Sequence, residues 1–300
     1  MPIRQMKKRP PIRKFKEIIE GEDVGIEVKI FPNAQVVGSD RDSIEAVTLG
    51  EIDMTSVAEL QFAPNIKEFY VFNADYLFDD LKDAKAKLDG EQGDLLKKAA
   101  DDKNMGVKVA AFFGSSGRIF WNNVREVNTL ADFQGIKSRA PENPINIAEL
   151  EALGCIPTPM AWNELYTGLQ QGTVDGLVSS KMPIIQQGLI DVLKYATDTN
   201  HSYSINVILI SSAKYNSFSE EQRAAYDKAI AGAAEEEWKI AMKEEEDSVQ
   251  KIKELQEQGK ILYTELTDEA RAEIKEAMVA ATEPKVEEMC GKEILETFRN

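Results

Sequence analysis

GIKSRAPENPINIAELEALGCIPTPMAWNELYTGLQQGTVDGLVS, residues Gly135–Ser179, is the stretch that decides the fold. A short strand ends at Arg139, and a helix follows it. A strand flanked by Pro157 and Pro159 comes next, then a helix opening at Trp162 and a third short strand ending at Val178. Three strand–helix units packed this tightly must set their strand ends side by side. In open α/β sheets that edge is where small ligands bind. A permanently charged, forked guanidinium at such an edge suits a carboxylate.

Outward from this stretch, strands and helices keep alternating, which makes the class α/β. Ile26, Val28 and Ile30 alternate with Glu27 and Lys29, so Gly25–Phe31 reads as a strand, with Pro32-Asn33 turning the chain. Ser39 or Asp40 caps a helix that stops at Gly50. Ile52–Val57 is a strand, Asp79–Ala100 a polar helical region, and Gly106–Phe113 a strand. The latter runs through Gly114-Ser-Ser-Gly117-Arg118 into a second extended run, Ile119–Trp121. Lys194–Asp198 and Tyr203–Ser211 are further strands, the second the most apolar in the chain. Ser219 and Gln222 form a capping box for a helix reaching Gln258, with a thin apolar stripe of the kind that bridges domains. A strand at Ile261–Thr264 and helices capped at Thr267 and beyond Pro284 complete the reading. Apolar strands crossing near Phe113–Arg118 and His201–Ser211 predict a hinge with a cleft between two lobes.

Composition narrows the function. The 300 residues suit two domains, and 43% hydrophobic content is ample for a core. No run of about 18 apolar residues could span a membrane. With 36 basic and 52 acidic residues the net charge is −16, which argues against nucleic acid as partner. Residues 1–16 carry seven basic residues and no acid, and no apolar run of signal-peptide type follows, so they read as a basic, disordered tail. Cys155 and Cys290 lack ligand-spaced partners, and the Glu235–Glu237 and Glu244–Glu246 runs lack a calcium-loop pattern; no metal is expected.

The candidate binding residues each have a plainer alternative. Arg139 is either a surface arginine or a carboxylate anchor. Arg118 follows a Gly-Ser loop whose N–H groups suit an anion, without the spacing or lysine of a P-loop. Trp162 is either core filler or an apolar wall. Ser179 offers a hydroxyl at a strand end. His201, the only histidine, has no nucleophile elbow near it and reads as structural.

The order IFPNAQ–VG–SDRDS, LGEIDM, DYLFDD, ADFQGIKSRAPENP, ALGCIPTPMAWNELYTGLQQGTVDG and KYATDTNHSY resembles the solute-binding proteins of TRAP (tripartite ATP-independent periplasmic) transporters, of the C4-dicarboxylate-binding type, over roughly residues 24–260. The resemblance implies a two-lobed periplasmic-binding-protein fold of type II character, with hinge strands and a long domain-spanning helix. Lobe 1 would comprise 17–115 and 205–245, lobe 2 116–204 and 246–300. It implies a monomer that captures a small organic-acid anion outside the cytoplasm and delivers it to membrane permease subunits, with no catalysis and no cofactor. Arg139 matches the arginine that pairs with the ligand carboxylate, Arg118 a second arginine, and Trp162 the aromatic wall. Asp40, Arg41 and Glu59 lie in regions that add first-lobe contacts in some members.

This chain departs from the family in four places, one of them the segment Asn122–Asn128 after Arg118, which is one residue longer than usual. Gly176-Leu-Val-Ser-Ser180 replaces a Gly-Gln-Glu-Asn-Pro-like run, which points to a smaller or less polar ligand. Asp75 stands where a Leu-Pro-Tyr-Leu-Phe-like segment has proline. The family's first strand is expected to be missing, through a truncated or misassigned start. A ligand-sensing module is the alternative binding role, and an enzyme acting on a phosphate ester at Gly114–Arg118 the alternative from another class.

Overall fold

The computed structural model describes residues 10–31 and 37–300. In chain order the elements are α1 (Pro10–Gly21), α2 (Asp40–Leu49), β1 (Met54–Ala58), α3 (Glu59–Phe62), α4 (Leu81–Leu88), α5 (Glu91–Lys103) and β2 (Val107–Asn122). Next come β3 (Lys137–Ala140), α6 (Pro144–Ala152), β4 (Ile156–Pro159), α7 (Leu165–Gln171), β5 (Gly176–Ser180) and α8 (Lys181–Gln186). The chain closes with β6 (Tyr195–Ser211), α9 (Ser212–Ser217), α10 (Glu220–Glu257), β7 (Leu262–Thr264), α11 (Asp268–Cys290) and α12 (Lys292–Arg299). Short 3-10 turns stand at Lys67–Asn73, Leu130–Phe133, Trp162–Glu164 and Leu189–Asp191. The strands form one mixed sheet ordered β1-β6-β2-β5-β3-β4, with β7 alongside β6.

Two compact units divide the chain. The first spans Met1–Phe69, Lys82–Gly114 and Ile205–Ala241, and the second Tyr70–Leu81, Ser115–Ser204 and Met242–Asn300. The chain passes from one to the other inside β2, β6 and α10. The segment Tyr70–Leu81, expected in lobe 1, belongs to the second unit.

In the first unit, local chemistry sets the helix ends. Ser39 Oγ accepts from Asp42 N–H at 3.1 Å, and Gly50 ends α2 at φ 76. Phe15 and Ile19, one turn apart on α1, pack with Phe113, Ile208 and Tyr226. β1 runs antiparallel to β6, Met54 facing Ile210 and Ala58 facing Asn206. Ser219 and Gln222 form the expected reciprocal box at 3.1 and 3.2 Å.

Several expectations need correction. Helix α1 starts at Pro10, so residues 10–16 are helical and not tail; residues 1–9 and the Pro32-Asn33 turn lie outside the described residues. Gly25–Phe31 joins no sheet. The reason is local: Val28 N–H donates to Glu20 at 2.8 Å and Val28 C=O accepts from Lys16 at 2.5 Å, so α1 side chains take the groups a neighbouring strand would need. The paired runs read around Gly114–Gly117 and Asn200 are continuous strands, β2 and β6. Helix α11 runs through Pro284 because its buried stripe, Ile274, Met278, Thr282, Val286 and Cys290, continues on both sides of it, against a proline cost of about 3 kcal/mol. Both cysteines are buried and free.

In the second unit the sheet has a core on each face. Ile119, Trp121, Leu177, Leu165 and Ile252 make one, and Phe120, Ala140, Leu150, Ile274 and Met278 the other. β3 is parallel to β4 and β5, while β5 is antiparallel to β2.

Candidate functional site

The C-terminal ends of parallel β3, β4 and β5 form one edge of the second unit, and both predicted arginines stand there. Arg139 is the third residue of β3, opposite Thr158 and Leu177. Arg118 in β2 faces Ser180 at the end of β5. Paired residues share a face. The register therefore sets Arg139 on the face of Leu177 and Ile119, and Arg118 on the face of Val178 and Phe120.

Arg139 is half-buried. Its Nε donates to Met160 C=O at 2.9 Å, and its guanidinium carbon lies 5.6 Å from the Trp162 ring centroid. No carboxylate pairs with it among the described residues. Burial, and then the charge of Arg118, pulls its pKa down to about 10. It remains a cation at neutral pH. The Trp162 indole N–H donates to Gln187 Oε1 at 3.0 Å, fixing the ring beside the arginine, while its other side packs on the core. Trp162 therefore packs on the core on one side and lies beside Arg139 on the other.

Arg118 Nε donates to Ser204 Oγ at 2.9 Å. Ser180, not Ser179, is the serine on its face, and donates to Ser116 C=O at 2.9 Å. Ser179 is buried, two residues beyond Leu177 on the Arg139 face, and its carbonyl accepts from Trp121 Nε1 at 3.0 Å. The Gly114–Gly117 stretch is strand, not an anion loop. A Cβ on Gly114 would come 2.2 Å from the Trp238 ring, and one on Gly117 2.0 Å from Asn200 Oδ1. The Gly117 N–H donates to Glu245 at 2.9 Å, so the protein supplies its own anion at that point. The other Glu245 oxygen holds Lys181 Nζ at 2.5 Å.

The three remaining candidates lie in the first unit. Asp40 accepts from Ala58 N–H at 3.0 Å, tying α2 to the end of β1. Arg41 is exposed on α2, and Glu59 is buried at the start of α3.

Sequence reading missed one constellation in the second unit. His201 lies buried between Thr199 Oγ1, 2.9 Å from Nδ1, and Glu149 Oε1, 3.4 Å from Nε2. Asp75 completes the group. Burial, then the charge of Glu149, drives the Asp75 carboxyl well above the usual range. Burial pushes Glu149 the same way, but His201, Asn146 and Arg118 outweigh it and hold Glu149 low. The proline replaced by Asp75 was the one signal in the sequence.

Residues 11–289 match the model of the DctP family, bacterial extracellular solute-binding proteins, family 7. The chain belongs to this family. It is 29% identical over 290 residues to the C4-dicarboxylate-binding periplasmic protein DctP of Rhodobacter capsulatus, covering 94% of this chain and 83% of that one. A TRAP periplasmic solute binding protein from Ochrobactrum anthropi superposes with a TM-score of 0.87 at 28% identity, over 96% of this chain and 88% of the other. The sugar acid binding protein DctPAm from Advenella mimigardefordensis, solved with galactonate, gives 0.85 at 29% identity, over 96% and 91%. The resemblance read from the PMAWNELYTGLQQGTVDG block is thereby borne out, as is the two-lobed α/β class. Family 7 is a family of extracellular binding proteins, not of enzymes. No described helix is long and apolar enough to cross a membrane.

Proposed function

We propose that this chain captures a small organic-acid anion in the periplasm, with Arg139 as the carboxylate anchor, and delivers it to the membrane subunits of a TRAP transporter. The observation that carries this is the state of Arg139. It is a half-buried cation at the C-terminal edge of the parallel strands, aimed by a carbonyl and an indole and, among the described residues, given no acid of its own. A guanidinium in that position gains most from a bidentate carboxylate. Arg118 adds a second positive group at the same edge, and Trp162 a flat surface for the carbon chain. Ser179 is a secondary contact on the Arg139 face, and Asp40, Arg41 and Glu59 rank below it. Relatives named for C4-dicarboxylates and for galactonate support a carboxylate as the shared chemistry. The Leu-Val-Ser-Ser run favours a short acid with few hydroxyls over a sugar acid. The function is binding: no bond is made or broken.

Calorimetry against succinate, other short mono- and dicarboxylates, and galactonate tests this. At least one short acid is expected to bind and to raise Tm without turnover. Arg139→Ala is expected to weaken that binding by about 2–5 kcal/mol, the range for truncating one member of a desolvated charge pair. Equal affinity in the variant would refute the anchor.

A further inference from the structure

Asp75, Glu149 and His201 come from three separate segments of the second unit: the turn after Lys67–Asn73, helix α6 and strand β6. They are 2%, 4% and 1% exposed. One ligand atom from each lies within 4.8 Å of the other two. We propose that these three side chains form a site for a divalent transition-metal cation of the zinc type, one that pins the Asp75 turn to α6 and β6.

The outer atoms of all three groups are already held. Thr282 Oγ1 donates to Asp75 Oδ2 at 2.8 Å. Asn146 Nδ2 donates to Glu149 Oε2 at 3.0 Å. Thr199 Oγ1 meets His201 Nδ1 at 2.9 Å. Each contact orients its partner and leaves one oxygen or nitrogen toward the others. Outer partners of this kind aim ligands at a metal, and in the tautomer in which Nδ1–H donates to Thr199 Oγ1 the imidazole presents its Nε2 lone pair. His201 Nε2 is buried and makes no contact of hydrogen-bond geometry among the described residues, with Glu149 Oε1 at 3.4 Å. Its 3.4 Å separation from Glu149 Oε1 matches the edge of a zinc tetrahedron, about 3.3–3.4 Å for bonds of about 2.0–2.1 Å.

The charge balance points the same way. Two buried carboxylates face one imidazole; the charges of Arg118 and Arg299 reach them, but neither arginine forms an ion pair with Glu149 or Asp75 among the described residues. The nearby Arg299 is occupied by the Asp75 and Tyr76 carbonyls and by Glu283, at 3.0, 2.7 and 2.6 Å. Arg271 is occupied by Thr199 C=O and Asp198. A divalent cation would offset both carboxylates and replace the long His201–Glu149 contact with a bond to each. Imidazole with carboxylates is a donor set for zinc and its neighbours, not for calcium or magnesium. The segment is also tightly positioned: Tyr76 takes a left-handed backbone (φ 53), with its N–H on His201 C=O at 2.6 Å.

The full chain, stripped with chelator in urea and refolded with Zn²⁺, then dialysed, should retain about one zinc per chain by elemental analysis. Its Tm should stand several degrees above that of the chain refolded with chelator. Asp75→Asn keeps the shape and the Thr282 contact and should retain less than a tenth of that zinc. Glu149→Gln is the second variant, should Asp75→Asn fail to fold. Arg139→Ala should bind zinc like the parent, which separates this site from the carboxylate anchor. A refolded parent with no zinc, a Tm indifferent to zinc, or folded Asp75→Asn and Glu149→Gln proteins that keep the metal would each overturn the proposal.

Discussion

Lys181 and Arg139 are both cations withdrawn from solvent in the same unit, and the fold treats them in opposite ways. Lys181 is 1% exposed and meets Glu245 at 2.5 Å, while the second Glu245 oxygen takes the Gly117 N–H. Its charge is cancelled inside the protein. Arg139 has a carbonyl and an aromatic face in place of an acid. Internal neutralisation marks a cation that serves the fold, because breaking a buried pair strands the remaining charge. Arg139, a half-buried cation without an acid among the described residues, is on our proposal one that serves an external anion.

The sharpest way to break this contrast is to delete each cation and read both binding and stability. Arg139→Ala should lose about 2–5 kcal/mol of carboxylate affinity. Its urea midpoint should move little, since no ion pair is lost; a loss of stability equal to the loss of affinity would make Arg139 structural. Lys181→Ala should do the reverse and destabilise by roughly 2–4 kcal/mol, somewhat under the full range for a buried pair because Glu245 keeps some solvent. An unchanged urea midpoint for Lys181→Ala would show that Glu245 relaxes into water and that the pair contributes nothing.

The same contrast explains what was legible in the sequence. Arg139 stands out because its position depends on local signals: a short strand ending there, with Pro141 and then a helix after it. Ser39, Gly50 and the Ser219–Gln222 box are local in the same sense, and each acts as the sequence predicts. Lys181 carried no signal, because its partner lies far along the chain on α10. Asp75, Glu149 and His201 escaped for the same reason: three distant segments meet only after folding. Gly25–Phe31 misled because alternation reports a covered face but not which groups satisfy the backbone. Lys16 and Glu20 supply them here. Pro284 misled because a local breaker lost to a long buried stripe.

Gly114 and Gly117 extend the comparison from charges to backbone, since both lie in β2 just before Arg118. A Cβ at Gly114 would meet the Trp238 ring at 2.2 Å, and that ring is itself buried on α10. A Cβ at Gly117 would meet the end of the Asn200 side chain at 2.0 Å. The ring has nowhere to go, whereas an amide on a short flexible stem can swing. Gly114→Ala is therefore expected to cost about 1–3 kcal/mol and Gly117→Ala distinctly less. Equal costs in thermal or urea melts would mean that strand flexibility, not the Trp238 contact, is why glycine stands at these positions.

The smallest effect belongs to Trp162, and it tests how Arg139 is kept ready without an acid. The ring sits 5.6 Å from the guanidinium carbon and is held by Gln187. Trp162→Leu keeps an apolar side chain but removes the π face, worth about 0.5–1 kcal/mol at a partly exposed site. Carboxylate affinity should fall by about two- to fivefold. Trp162→Phe retains a face while losing the Gln187 bond, and should fall between Leu and the parent. If Leu binds as tightly as tryptophan, the ring serves only the core behind it. The arginine would then be aimed by the Met160 carbonyl alone.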